Sequence, residues 1–290
     1  MTDPKKPVEK DAVSGVETTG HEWDGLKELN NPAPRWWLWV FILTVIWAVG
    51  YWVVYPAWPT IDGSTKGKWN WTEYKELADK QGEITARQSQ YLAKLQSTKL
   101  EDVHNDRALF EFARLGGMTA FKENCAACHA AGGAGTKGYP NLNDDDWLWG
   151  GKLSDIYQTI QVGIRSSHPD TRNTAMPNFG KDGVLKPAQI EDVAKYVESM
   201  HLKTASASSP GAAIFAEQCA ACHGNDGGGN TEMGAPRLND NIWLYGGSHA
   251  DIVGSITNAH AGVMPTWKDR LDDNTIKMLA IYVHSLGGGK

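Results

Sequence analysis

All four cysteines of this 290-residue chain fall in two copies of one string, Cys125-Ala126-Ala127-Cys128-His129 and Cys219-Ala220-Ala221-Cys222-His223. Two thiols two residues apart, followed at once by a histidine, form the pattern that attaches haem c covalently. Each thiol adds across one vinyl group of the porphyrin, and one helical turn spans the distance between the vinyls. The imidazole that follows then falls beneath the iron as its proximal axial ligand. A four-cysteine zinc site or a redox dithiol also uses Cys-x-x-Cys pairs. Neither needs a histidine after both pairs, and no cysteine is left over. The spacing therefore predicts two covalently attached haems c, one at Cys125, Cys128 and His129, the other at Cys219, Cys222 and His223.

A haem iron with one histidine keeps a sixth position. Methionine there gives a higher-potential iron suited to electron transfer, whereas an open position suits catalysis or gas binding. Met176-Pro177 and Met264-Pro265 follow the two histidines by 47 and 41 residues, and the proline keeps each loop out of a helix. These two methionines are the expected sixth ligands. Met118, Met200 and Met278 fall in predicted helices and read as packing residues. Met233, in the glycine-rich loop after the second motif, competes for the role. His168 and His260 precede the two methionines and read as solvated loop histidines, and Asp144, Asp145 and Asp146 as a solvated acidic turn.

The elements that must position these groups are repeated. Phe121-x-x-x-Cys125 recurs as Phe215-x-x-x-Cys219, and Leu142-Asn143-Asp144-x-x-Trp147-Leu148-x-Gly150-Gly151 recurs as Leu238-Asn239-Asp240-x-x-Trp243-Leu244-x-Gly246-Gly247. Each copy closes on an amphipathic helix, with Ile190, Val193, Ala194 and Val197 in one and Ile276, Leu279, Ala280 and Val283 in the other. Both sets follow the i, i+3, i+4, i+7 spacing of one buried face. Gly117 and Gly211 sit where a missing side chain would let first and last helices cross closely. Each copy thus reads helix, haem motif, glycine-rich loop, short helices, Met-Pro loop, final helix, which is the plan of a small cytochrome c domain.

Ahead of the repeat, Trp36 to Tyr55 is a run of 20 residues without a charge. At 1.5 Å per residue it reaches about 30 Å, the thickness of a bilayer's hydrocarbon core. Tryptophans and tyrosines cluster toward its two ends, as interfacial aromatics do. A cleaved signal peptide would be shorter and end in a small-x-small site, and a buried core helix would carry more polar residues. The segment reads as an uncleaved anchor. Haem c is attached outside the bacterial inner membrane, so the N-terminus is expected in the cytoplasm and the haem motifs in the periplasm.

The predicted fold class is all-α: a single N-terminal transmembrane helix followed by two tandem cytochrome c domains. Its expected parts are an irregular tail (1–34), the anchor (35–56), a connecting region (57–107), a first domain (108–202), a flexible linker (203–210) and a second domain (211–290). One or two helices are expected in the connecting region, where Tyr91, Leu92 and Leu95 have helical spacing. A net charge of -6 gives no sign of nucleic acid binding.

The tail string Gly20-His21-Glu22-Trp23-Asp24-Gly25-Leu26-Lys27-Glu28-Leu29-Asn30-Asn31-Pro32, directly before Pro34-Arg35-Trp36-Trp37, is far more specific than Cys-x-x-Cys-His. With the anchor and the two haem motifs it resembles the FixP/CcoP subunit of cbb3-type cytochrome c oxidase. That resemblance implies an electron-transfer subunit rather than the oxygen-reducing one. Such a subunit takes electrons from a donor cytochrome c and passes them to a monohaem c subunit, and from there they reach the catalytic, proton-pumping subunit. It also implies crossed ligation, with His129 and Met264 on one iron and His223 and Met176 on the other; spacing alone allows pairing within each copy equally well. A membrane-anchored dihaem cytochrome serving a periplasmic dehydrogenase, or acting as a free carrier, is the alternative. A dihaem peroxidase would need an iron open to substrate, which two well-placed methionines oppose.

Overall fold

A computed structural model describes residues 9–287. The chain forms two compact units, one up to Ala86 and one from Arg87 onward.

The first unit opens with an antiparallel hairpin, β1 (Thr18–Trp23) and β2 (Leu26–Leu29). Its turn is Asp24-Gly25, with φ of 49° and 85°. Positive φ at both central residues is the turn that matches strand twist, and Asp-Gly favours it. The tail expected to be irregular is therefore ordered here; its first eight residues lie outside the described residues. Trp23 Nε1 donates to Glu28 at 3.1 Å, and Lys27 pairs with Glu9 at 2.6 Å.

Helix α1 (Arg35–Val54) begins after Pro34 and stops at Tyr55, which is extended (φ -107°, ψ 162°). The following Pro56 disfavours helical geometry at that residue. The helix is apolar on all sides, with no buried residue, and is long and apolar enough to cross a membrane. Past its end the chain folds back, so that the Lys68 and Trp69 N–H groups reach the carbonyls of Val53 and Val54 at 2.9 and 3.2 Å. Gly67 permits this close approach. It has φ +67°, and a Cβ there would lie 2.3 Å from the Val54 carbonyl oxygen. Trp69 and Trp71 set their rings edge-on to Tyr55. Helix α2 (Glu73–Ser97) follows, polar and exposed for most of its length until Leu95, which is fully buried.

In the second unit a 3-10 turn (Leu100–Asn105) leads into α3 (Arg107–Asn124). The Asp106 carboxylate caps α3, accepting from the Ala108 and Leu109 N–H groups at 3.0 and 3.1 Å. The haem-motif turn α4 (Ala126–His129) comes next, then α5 (Leu153–Val162) and α6 (Pro187–His201). The second copy supplies α7 (Pro210–Gln218), α8 (Ala220–His223), α9 (His249–Thr257) and α10 (Asp273–His284). The described chain is mostly helical.

The packing does not follow the repeat. Helix α3 packs on α10, and α7 on α6, so each copy's first helix meets the other copy's last. The two glycines do let helices cross. A Cβ on Gly117 would meet Met278 O at 2.0 Å, and one on Gly211 would meet Asp192 O at 2.1 Å. Phe121 against Tyr282 and Phe215 against Tyr196 repeat one arrangement, with centroids 5.4 Å apart in both. One core joins Phe121, Ile156, Ile160, Leu279 and Val283; the other joins Ile190, Val193, Val197, Phe215 and Ile252. Burying each phenylalanine contributes about 1.5–3 kcal/mol.

Two expectations are corrected by this arrangement. Residues 203–210 are not a slack linker between domains but the exposed turn of a helical hairpin whose two helices share one core. Thr204 N–H returns to Ser199 O at 2.8 Å, and the Lys203 ammonium holds the Asn239 carbonyl. The second core is continuous in sequence, whereas the first is built from α3–α5 and, after a long interruption, α10.

Candidate haem sites

Both haem motifs begin where a helix ends. Cys125 caps α3 and Cys219 caps α7, each accepting at its carbonyl from the histidine N–H four residues on, at 2.9 and 3.0 Å. That single turn sets both thiols and the imidazole on one short element. After the turn the chain must reverse. Ala130 does so with φ 61° and ψ 174°, and its counterpart Gly224 with φ 78° and ψ 156°.

The ring of His129 lies 3.1 Å from the Pro140 carbonyl through Nδ1, and that of His223 lies 2.9 Å from the Pro236 carbonyl. A carbonyl only accepts, so Nδ1 carries the proton and Nε2 is left with its lone pair for a metal. Burial pushes both imidazoles below the usual histidine range, which keeps them neutral. Burial, and then the neighbouring thiol, pushes Cys125 and Cys219 up to about 11. A reactive dithiol would show the opposite shift. Cys125 lines one cavity and Cys219 and Cys222 line another, so four thiolates do not converge on one ion.

The first cavity is lined by Cys125 and His129 from the first copy and by Met264, Leu279 and Val283 from the second. The second is lined by Cys219, Cys222 and His223 together with Met176 and Pro177 of the first copy. Each histidine thus shares a cavity with the other copy's methionine.

Helix ends place these loops. Met264 forms a two-way backbone pair with Ile164, at 2.9 and 3.0 Å, just past the end of α5, and Thr266 Oγ1 and Lys268 N–H take up the Gln161 carbonyl there. Gly163 has φ +71°, and a Cβ on it would lie 2.5 Å from Met264 O. The Met176 loop docks in the same way at the end of α9. Lys181 N–H reaches Thr257 O at 2.9 Å, and Asn178 Oδ1 accepts from Ala259 N–H at 3.0 Å.

The other candidates separate cleanly. Met233 lines the second cavity, but three residues from Pro236, in the loop that holds the histidine. Met200 is buried and Met118 partly buried in the two cores, while Met278 packs beside α2 and α3. His260 is exposed and stacks on Tyr245 with centroids 4.0 Å apart. His168 is not solvated as expected: its side chain is 10% exposed, and Nδ1 accepts from Asp170 N–H. The acidic turn also differs from expectation. Asp146 lines both cavities, and burial, followed by Asp240, raises it to about 6.

Several site residues had only an unassigned signal in the sequence. Trp147 and Trp243 are part of the repeated string, and each ring lies over a glycine that leaves it room, Gly151 and Gly247. Pro140 and Pro236 occupy matching places, as do Trp149, which packs on Gly234, and Tyr245, which packs on Gly138. Whether a haem fits can be judged from buried donors. Trp243 Nε1 in the second cavity and Thr159 Oγ1 in the first are buried without a hydrogen-bond partner. Buried donors of this kind call for an acceptor, and the carboxylates of a haem are acceptors. The apolar walls suit the macrocycle.

The chain is similar to known proteins over nearly its whole length. A family model described as the N-terminal domain of cytochrome oxidase-cbb3, FixP, matches residues 15–62. A cytochrome c model matches 116–201, and one for cytochrome c oxidase, cbb3-type, subunit III matches 206–283. A cbb3-type cytochrome c oxidase subunit FixP of Bradyrhizobium sp. (strain ORS 278) is 53% identical, covering 97% of this chain and 98% of the relative. The CcoP subunit of Azospirillum brasilense is 51% identical, with 97% and 99% covered. That of Cereibacter sphaeroides is 46% identical, with 94% and 95% covered.

Proposed function

This chain belongs to the FixP/CcoP family of cbb3-type cytochrome c oxidase subunits, and we propose that it works there as a dihaem relay with crossed ligation. Two haems c are bound covalently, one through Cys125 and Cys128 and one through Cys219 and Cys222. His129 and Met264 hold one iron; His223 and Met176 hold the other. The observation that carries this reading is the sharing of each cavity by one copy's histidine and the other copy's methionine.

A bound haem supplies one-electron storage at its iron. The chain's residues set the conditions for it. Pro140 and Pro236 fix the imidazoles in the tautomer that presents Nε2. Phe121, Leu279 and Val283 in one cavity, and Phe215, Val193 and Val197 in the other, keep water from the metal position. Low solvent access and a methionine ligand both favour a high potential. Pro140, Asn141, Asp146 and Leu148 line both cavities, so one segment of chain is the wall between the two stations. With both irons fully ligated, the subunit carries electrons and is not itself the catalyst; oxygen reduction and proton pumping belong to another subunit.

Helix α1 anchors the chain in the bacterial inner membrane, with the hairpin in the cytoplasm and the haem domains in the periplasm. A donor cytochrome c reduces it there, and it passes electrons to a monohaem c subunit and on to the catalytic subunit. Met264→His tests the crossing. It is expected to change the spectrum and lower the potential of the haem attached at Cys125 and Cys128. A change confined to the haem at Cys219 and Cys222 refutes it. Mild-detergent purification tests the assembly: the chain should bring with it haem b-containing, oxygen-consuming subunits, and isolation as a lone dihaem protein would count against this reading.

A further inference from the structure

Three chain segments meet at Ile164-Arg165. Ile164 pairs with Met264 through both backbone groups, and Arg165 N–H donates to Arg172 O at 2.8 Å. Arg172 N–H returns to Gly163 O at 3.3 Å, so residues 163–165 lie between the approaches to both methionine loops. The Arg165 side chain then closes the junction. Its Nε–H donates to Gly262 O at 2.7 Å, and its Nη1–H donates to Thr174 O at 2.6 Å. Gly262 lies two residues before Met264, and Thr174 two before Met176. One guanidinium therefore holds both loops, each at the same distance along the chain from its methionine.

The chemistry suits a clasp. A guanidinium presents several donors in a rigid plane and stays charged, and charged donors make the stronger hydrogen bonds. Both acceptors are backbone carbonyls, so the grip acts on loop position. A lysine could not hold both in the same way, since its donors radiate from one atom.

We propose that Arg165 is a positioning residue common to both irons: it seats both Met176 and Met264, so that losing its guanidinium loosens both loops at once. This rests on the crossed-ligation reading, because it assumes that both methionines are ligands. Arg165 lines the second cavity, but a guanidinium is no iron ligand, and it acts through the two loops it holds.

The test uses the full-length chain, purified in detergent with both haems attached, and carbon monoxide as the probe of the ferrous irons. Wild type should show the weak red methionine–iron charge-transfer absorption for both haems and take up almost no carbon monoxide. That absorption checks the ligation reading by itself, whatever the variants do. Arg165→Gln should still carry two covalent haems by haemochrome assay. It should open both irons, with a carbon monoxide-accessible fraction about tenfold or more above wild type at each and uptake approaching two per chain. Uptake at one iron only, or no uptake above wild type, overturns the proposal. If Arg165→Gln does not accumulate, Arg165→Lys decides. It keeps the charge and loses the fork, so it should show a smaller uptake shared between both irons. A wild-type response, or uptake at a single iron, overturns the proposal there as well.

Discussion

Replacing Gly163 by alanine should unseat one methionine from outside either haem cavity's ligand set. Gly163 closes α5 with φ 71° and ψ -174°, a backbone region occupied almost only by glycine, which costs another residue about 1–3 kcal/mol. The new Cβ would also stand 2.5 Å from Met264 O, 2.8 Å from Pro265 C and 2.8 Å from Thr266 N. All three are backbone atoms, so no flexible side chain can swing aside. Ordinary contact at 3.4 Å requires the Met264 backbone to retreat by roughly 0.9 Å. That movement breaks the two-way pair between Met264 and Ile164. Backbone strain and two lost hydrogen bonds together cost about 2–6 kcal/mol. Falling on the ligand loop, that cost weakens ligation by roughly thirtyfold to ten-thousandfold. The assay is the methionine–iron charge-transfer absorption of the ferric chain, measured with two haems attached. Gly163→Ala should lose about half of it, the share due to Met264. In a Met176→His background, where only that share remains, it should remove the rest. An undiminished band in either background refutes the claim that Gly163 seats Met264.

Two further substitutions follow from backbone and charge. Asp146 is held at about 6 by burial and by Asp240, above the ordinary 3.8, so the folded state keeps a proton that the unfolded state releases. Its contribution to stability is therefore lost as pH rises from about 4 through about 6. Asp146→Asn should stabilise the protein at pH 7 by about 1 kcal/mol, after discounting for partial exposure, with the gain vanishing near pH 4. Thermal melts of the two proteins at both pH values check this, and an equal gain at both would refute it. Ala130, in a glycine-type conformation that Gly224 occupies in the second copy, should gain about 1 kcal/mol on replacement by glycine. The measurement is again a melt, and a lower transition temperature would contradict the strain argument.

Much of this was legible because the signals are local. The two Cys-x-x-Cys-His turns, the uncharged run of α1 and the spacing of Ile276, Leu279, Ala280 and Val283 each define an element without reference to anything distant. The tail reads as irregular because Asp24-Gly25, a strong hairpin signal, sits between strands that are short and largely polar. The stretch 203–210 reads as slack because its composition is small and polar, which reports exposure rather than slackness. Its ends are held by α6 and α7, whose contact is not written locally. Gly117 and Gly211 announced a close helix crossing but could not name the partner, since Tyr196 and Tyr282 offer the same ring to either phenylalanine. Asp146 and Arg165 were opaque for a related reason. Burial among segments far apart in sequence, and a side chain that bridges two loops, leave no periodic trace.

The interleaved packing also fixes an order of completion. The parts of the second core run without a break from Met176 to Thr257, so that core can close as soon as this stretch has been made. The first site opens earlier, at Cys125, yet lacks both Met264 and α10 until almost the last residues emerge. One haem station is thus nested inside the other like an inner bracket in an outer pair. A chain stopped short of Met264 would carry the second core whole and the first without its closing helix, and no cut at the repeat boundary yields two complete cores.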